Sequence, residues 1–139
     1  ENLFLGDLER LAMVVARIRE LGFTLSIDDF GTGYSSLQRL RQTAVSEIKI
    51  DRSFIMCMLD NKDDAVIVHS TIELAHNLGL RVVGEGVENA ETLAQLKSLG
   101  CDSVQGYHIC RPLPPAGVEE FIARSAWPPQ RFAAARAHA

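Results

Sequence analysis

The apolar positions of the chain repeat in units of one helix followed by one strand. Leu8, Leu11, Val15 and Ile18 form a stripe at helical spacing, and a buried strand is predicted after it at residues 23–27. Further helices are predicted at residues 35–41, 65–78, 90–99 and 115–124, and further strands at 47–51, 80–83 and 103–107. Short apolar strands that alternate with helices predict an α/β fold with parallel strands.

Three of the predicted helices end at the same dipeptide, Leu-Gly. It stands at residues 21–22 and 78–79 directly before a predicted strand, and at residues 99–100 with two residues between it and the next predicted strand. Glycine is common just after the last helical residue, where the backbone turns into the left-handed conformation. The repeated dipeptide therefore predicts three helix C-caps that feed successive strands.

One polar or charged residue falls near the carboxyl end of each predicted strand. These residues are Asp28, Lys49, Glu85 and Gln105, and Asp51 shares a strand face with Lys49 because residues two apart point the same way. Taken singly, each of these residues can be explained as a member of a salt bridge or as a residue at the rim of the fold. In a parallel barrel, however, the catalytic residues come from the ends of several strands. The set therefore predicts one site at the mouth of a barrel.

Asp28 and Asp29 are adjacent carboxylates that follow an apolar strand and precede a glycine-rich turn. Carboxylates at the end of a buried strand are costly unless a cation neutralises them. Strand neighbours point to opposite faces, so both can reach one site only where the regular pleat ends. The alternative is a pair that caps the turn or the following helix. An acidic pair used with a lysine and a carboxamide is typical of metal-assisted attack on an anionic ester.

Length and composition narrow the class of protein. The 139 residues fit one domain, and a hydrophobic content of 47% supports a sizeable core. The net charge of −4, with both signs interspersed, argues against binding to a nucleic acid polymer. Three cysteines without a Cys-x-x-Cys pair fit a reducing, cytoplasmic setting. No apolar run approaches the roughly 18 residues of a membrane span, although a longer parent protein with a membrane anchor is compatible with this chain.

Four segments resemble, in order, the motifs of the EAL domain family. They are DDFGTGYSS at 28–36, IKIDRSF at 48–54, GEGVE at 84–88 and VQGY at 104–107. The resemblance implies a modified TIM barrel that hydrolyses cyclic di-GMP, a bacterial second messenger, to linear pGpG. The family's Glu-Ala-Leu motif is absent, so the resemblance implies the carboxyl-terminal portion of the domain at 1–124, an incomplete barrel, with a Pro/Ala/Arg-rich tail at 125–139.

The resemblance also assigns roles to individual residues. Asp28 and Asp29 would be ligands of an Mg²⁺ or Mn²⁺ pair, with further ligands outside this chain. Lys49 and Glu85 would be catalytic. Substrate binding or support of the site would fall to Gln105, Asp51, Glu88 and Arg111. Three metal ligands of the family lie in the missing motifs, and Ile109 and Cys110 depart from the family pattern beside Arg111.

A glycine-rich loop and the first residue are implied to control activity. Residues 30–36 resemble the loop that closes the metal and dimer sites, and Glu1 matches the residue that steadies this loop. The residues of this control segment are Glu1, Phe30, Gly31, Thr32, Gly33, Tyr34, Ser35 and Ser36. The implied partners are cyclic di-GMP, a second copy of the protein, and a fused sensor or diguanylate cyclase domain.

Two alternatives to this function stay open on the sequence. The first is a degenerate barrel that binds cyclic di-GMP or a protein partner without catalysis. The presence of Asp28, Asp29, Lys49 and Glu85 argues against it, since a pure binding module does not need them all. The second is an unrelated metal-dependent barrel hydrolase, which differs in the ester that it cleaves.

Overall fold

The protein is described by a computed structural model that covers residues 2–32 and 45–125. Helices and strands alternate through these residues. Their bounds are α1 (Asn2–Glu20), β1 (Ser26–Phe30), β2 (Glu47–Ile50), α2 (Arg52–Cys57), α3 (Lys62–Asn77), β3 (Arg81–Glu85), α4 (Ala90–Ser98), β4 (Ser103–Gln105) and α5 (Pro115–Arg124). Among these helices, none combines the length and apolar content that a membrane crossing requires.

The four strands form one parallel sheet in the order β1-β2-β3-β4. This confirms the predicted α/β fold with parallel strands. The connections from β2 to β3 and from β3 to β4 are crossovers, as parallel pairing demands. Within the described residues, β1 pairs only with β2 and β4 only with β3, so both outer strands present an edge.

The hydrophobic core lies on the face of the sheet that the helices cover. Ile48 and Ile50 of β2 and Val82 of β3 are fully buried there. They pack in one cluster with Ile55 of α2 and with residues of α3 such as Ile72. Full burial of each such side chain contributes roughly 1.5–3 kcal/mol. Since Lys49 alternates with Ile48 and Ile50, the packed core turns Lys49 to the opposite face of the sheet.

Three of the helices end at the glycines that the sequence predicts, and two of these begin at asparagine caps. Each Leu-Gly dipeptide ends or follows a helix, with its glycine at positive φ: Gly22 at 85°, Gly79 at 72° and Gly100 at 81°. At the other ends, the side chains of Asn61 and Asn89 accept hydrogen bonds from the first turns of α3 and α4. The three predicted C-caps are thus confirmed.

Some predicted bounds differ from the structure. The first strand lies at Ser26–Phe30 rather than at 23–27, because Phe23 is 63% exposed and belongs to the loop after α1. The strand predicted at 47–51 ends one residue early, since Asp51 is the N-cap of α2, a six-residue helix too short for a periodic signal. The strand predicted at 103–107 ends at Gln105. The helix predicted at 35–41 lies outside the described residues.

Gly106 is a point of close backbone approach between the ends of β3 and β4. A β-carbon placed on it would lie 2.1 Å from the carbonyl oxygen of Val87 and 2.3 Å from its nitrogen. The two segments are joined by backbone hydrogen bonds from Val87 to Gln105 and from His108 to Val87, at 3.1 and 3.0 Å. No side chain fits between them.

We therefore expect Gly106→Ala to destabilise the protein by at least about 2 kcal/mol, because the backbone of the two segments has to separate. Gly117→Ala is a matched control. A β-carbon added to Gly117, which lies in α5, would have its nearest neighbouring atom 3.5 Å away. Chemical denaturation with urea measures the free energy of unfolding of both variants. Equal midpoints for Gly106→Ala and the wild type would contradict the close approach.

Candidate functional site

The end of β1 contains a bulge made by the two adjacent aspartates. In the pairing with β2, Ile27 lies opposite Ile48 and Phe30 lies opposite Ile50. Asp28 and Asp29 together therefore face the single residue Lys49. Asp29 has a φ of 51°, which is uncommon for a residue other than glycine. A bulge of this kind re-aims a side chain, and here it brings two successive carboxylates to one side of the sheet.

Lys49 lies between two carboxylates that come from the strands on either side of it. Its Nζ donates to Asp28 Oδ1 at 2.9 Å and also contacts Oε1 of Glu85. The Lys49 side chain is 22% exposed, the Glu85 side chain 13% and the Asp28 side chain 64%. The ammonium group thus balances one half-buried carboxylate and one that is open to solvent.

The hydrogen bond from Lys49 to Glu85 raises the pKa of Lys49 above its usual 10.5, and the bond to Asp28 acts in the same direction against the effect of burial. A raised pKa in the folded state stabilises the fold at every pH below the usual value. This stabilisation disappears as the pH rises through the raised value. Lys49 is therefore a fixed positive charge at neutral pH.

Gln105 fixes the orientation of the Glu85 side chain. These two residues lie opposite each other in the pairing of β3 with β4. The amide Nε2 of Gln105 donates to Glu85 Oε1 at 2.7 Å. The predicted polar residues of all four strands, Asp28, Lys49, Glu85 and Gln105, are thus brought together in one continuous row of contacts.

The carboxylates of Asp28, Asp29 and Glu85 suit a divalent cation. Each offers one oxygen, and the three oxygens all lie within 4.8 Å of one another. Oxygen ligands of this type are preferred by hard ions such as Mg²⁺, and carboxylates also suit Mn²⁺. The donor set therefore fits a metal, while three carboxylates alone do not complete the coordination of two ions.

Asp51 is placed next to this row but has a separate structural contact. Its Oδ1 accepts from the backbone nitrogen of Ser53 at 2.8 Å, which caps α2, and also from the Ser53 hydroxyl. These bonds from Ser53, first the hydroxyl and then the backbone N–H, hold the pKa of Asp51 below its usual value. Asp51 thus fixes the start of the helix that follows β2.

The remaining predicted residues of the ligand site line a neighbouring cavity of about 380 Å³. Glu88 and Arg111 lie in its wall together with Gln105, which the cavity shares with the row of strand-end residues. The guanidinium carbon of Arg111 lies 4.5 Å from the centre of the Tyr107 ring, a cation–π contact. Arg52, the first residue of α2, also lines the cavity, and the set of site residues predicted from the sequence does not include it although it directly follows Asp51.

Only part of the predicted control loop lies in the described residues. Phe30 belongs to β1 rather than to a loop, and its side chain is buried in the core. Gly31 is at the strand's end, where a β-carbon would lie 2.7 Å from the Phe54 ring. Thr32 donates from its hydroxyl to the carbonyl oxygen of Asp29 at 2.9 Å. Glu1, Gly33, Tyr34, Ser35 and Ser36 lie outside the described residues.

Comparisons with known proteins agree with this geometry. A family model described as "EAL domain" matches residues 1–112. The cyclic di-GMP phosphodiesterase NbdA of Pseudomonas aeruginosa is 46% identical over 122 residues, which are 88% of this chain and 16% of NbdA. The chain therefore spans about a sixth of that relative's length.

Solved structures give the same family. The EAL domain of Mycobacterium smegmatis DcpA matches with a TM-score of 0.82 and 35% identity, over 88% of this chain and 55% of that one. Klebsiella pneumoniae BlrP1, solved as a manganese and cyclic di-GMP complex, matches with a TM-score of 0.66 and 36% identity, over 72% of this chain and 26% of that one.

The charge balance at Lys49 can be tested by removing its ammonium group. We expect Lys49→Met to lower the free energy of unfolding by about 1–3 kcal/mol without divalent ions, because Glu85 loses its cation. Added Mg²⁺ should then raise the melting temperature more in the variant than in the wild type, since the freed carboxylates bind the ion in the folded state alone.

The matched control is Lys97→Met, which removes the same charge from an exposed position near the end of α4. It should leave the Mg²⁺ response unchanged. Identical Mg²⁺ responses in Lys49→Met and the wild type, measured by differential scanning calorimetry, would contradict a cation site at these carboxylates.

Proposed function

The chain belongs to the EAL domain family, and we propose that it forms part of a site that hydrolyses cyclic di-GMP to linear pGpG with the help of divalent metal. The observation that carries this proposal is the cluster of Asp28, Asp29 and Glu85, whose ligand oxygens lie within 4.8 Å of one another beside Lys49. The similarity to a named cyclic di-GMP phosphodiesterase and to a manganese and cyclic di-GMP complex supports it.

The reaction adds one water molecule across a phosphodiester, so that one P–O ester bond breaks and a phosphate monoester and a hydroxyl group form. Divalent ions, when bound, supply charge neutralisation for the diester and a lower pKa for a nearby water, towards about 7. Asp28 and Asp29 would hold Mg²⁺ or Mn²⁺, since both are exposed carboxylates on the same side of the sheet. Two ions would require ligands beyond these.

The other residues of the row would orient the Glu85 carboxylate and balance the charge of the anionic ester. Glu85 is held from two sides, by Lys49 and by Gln105, so its carboxylate is pre-oriented for a metal or a water. Lys49 donates to two carboxylates and would serve as an electrostatic aid to the anionic ester rather than as a base. Gln105 would support the site through Glu85.

The neighbouring cavity would receive a part of the cyclic dinucleotide away from the reacting phosphate. Gln105 lies between the row and the cavity, so a ligand that reaches both has a continuous path. Glu88 and Arg111 offer an acceptor and a set of donors in its wall. Asp51 would contribute by fixing the start of α2, whose first residue also lines the cavity.

We infer a homodimer in which Glu1 and residues 30–36 couple loop order to activity, and a cytoplasmic setting for the domain. We also infer a fused sensor or diguanylate cyclase domain: the matched region is only 16% of NbdA, which leaves room for further domains in a protein of that length.

We expect Asp28→Asn, in the complete EAL domain, to lower Mg²⁺-dependent hydrolysis of cyclic di-GMP by at least about 100-fold, because a neutral amide is a weaker ligand than a carboxylate. The melting temperature without metal should change little, since the Asp28 side chain is 64% exposed. Asp60→Asn makes the same chemical change at an exposed turn and is the matched control.

Turnover equal to the wild type in Asp28→Asn would reject the metal assignment. A wild-type domain that binds cyclic di-GMP without cleaving it would instead favour the non-catalytic receptor. Cleavage of other phosphodiesters but not of cyclic di-GMP would favour an unrelated metal-dependent hydrolase.

The 139-residue chain alone is expected to show no measurable hydrolysis of cyclic di-GMP. It spans 55% of the matched DcpA chain, and its described sheet has two open edges where closure of a barrel needs about eight strands. Adding a separate fragment with the remaining strands should raise the melting temperature and create metal-dependent activity. A monomeric, cooperatively folded and active chain without the fragment would contradict this prediction.

A further inference from the structure

Arg52 is held between the ends of β2 and β3 by a close contact with Gly86. It is the first residue of α2, whose N-cap is Asp51, and it lies three residues after Lys49. A β-carbon built on Gly86 would lie 2.5 Å from the β-carbon of Arg52 and 3.3 Å from its α-carbon. The stem of Arg52 therefore packs directly on the backbone that follows Glu85, at the same end of the sheet as the proposed catalytic row.

The Arg52 side chain lines the 380 Å³ cavity beside this row. Its guanidinium forms no salt bridge with any residue whose side chain the structure describes, namely residues 10, 12–32 and 45–125. Arg111, the second guanidinium in the cavity wall, already covers the Tyr107 ring at 4.5 Å. Arg52 is thus the cavity cation with its donors available to a ligand.

The other polar groups of the cavity suit a purine base. Glu88 is an exposed carboxylate that can accept from ring and amino N–H groups, and Tyr107 offers an aromatic ring. Under the proposed function, the anionic diester would lie at the carboxylate row, where Lys49 and a bound metal would supply positive charge. A cation in the adjoining cavity is therefore better placed to contact a base than the reacting phosphate.

We propose that Arg52 determines base specificity by donating two hydrogen bonds to O6 and N7 of a guanine of the cyclic dinucleotide. The fork of an arginine matches this pair of acceptors, and it is the commonest specific contact to guanine. Adenine presents an amino donor in place of O6, so Arg52 disfavours it. This inference rests on the proposed function, because it takes a cyclic dinucleotide as the ligand.

The test replaces Arg52 by glutamine in the complete EAL domain. Isothermal titration with EDTA present measures the dissociation constants of cyclic di-GMP and of cyclic di-AMP, which share the same phosphates. We expect Arg52→Gln to weaken cyclic di-GMP binding by about 5- to 150-fold and to leave or improve cyclic di-AMP binding, because glutamine pairs with N6 and N7 of adenine. Arg17→Gln, at an exposed position on α1, is the control with the same charge change.

The outcomes separate the base contact from other roles. Equal weakening of both ligands, with a shallower salt dependence, would show a phosphate contact and overturn the proposal. Unchanged affinities for both ligands would overturn it as well. A wild-type domain that bound neither ligand, with EDTA or with Mg²⁺, would show that the proposed function is wrong and would remove the basis of the Arg52 assignment. A loss confined to cyclic di-GMP, with hydrolysis of that ligand still metal-dependent, would support it.

Discussion

The site depends on one irregularity, the bulge that places Asp28 and Asp29 opposite Lys49. In a regular strand the two carboxylates would point to opposite faces, and one of them would enter the core beside Ile48 and Ile50. An ionised carboxylate there would have no partner and would be strongly destabilising. The positive φ of Asp29 avoids this outcome, at a local backbone cost of about 1–3 kcal/mol that the surrounding structure has to offset.

The packed face of the sheet supplies that compensation. Ile48, Ile50 and Val82 are fully buried against the helices, and this fixes the spacing and the register of β2 and β3. Lys49 and Glu85 are then held on the other face with little freedom, so the ammonium meets carboxylates from both neighbouring strands. Close packing on one side thus pre-organises charges on the other, which a flexible loop would not achieve.

Periodicity was sufficient to predict the strand-end residues that lie in regular strands. Lys49, Glu85 and Gln105 follow from the two-residue repeat, and the structure brings them together with Asp28. The strand predicted at residues 23–27 begins three residues too early, because the apolar run that includes Phe23 resembles a strand although Phe23 is exposed. The bulge has no periodic signal, since it is a departure from the repeat. The six-residue α2, which begins at Arg52, is too short to give a periodic pattern.

The row of charges and the cavity are adjacent but chemically different, and Gln105 belongs to both. The row carries carboxylates and Lys49 within hydrogen-bond distance of one another, which is suited to a reacting phosphate. The cavity carries an aromatic ring and guanidinium groups, which are suited to recognising a base. Since Gln105 touches Glu85 and also lines the cavity, a base bound there can influence how Glu85 is oriented. Under the proposed function, binding energy gained in the cavity would in this way help to align Glu85 with the ester.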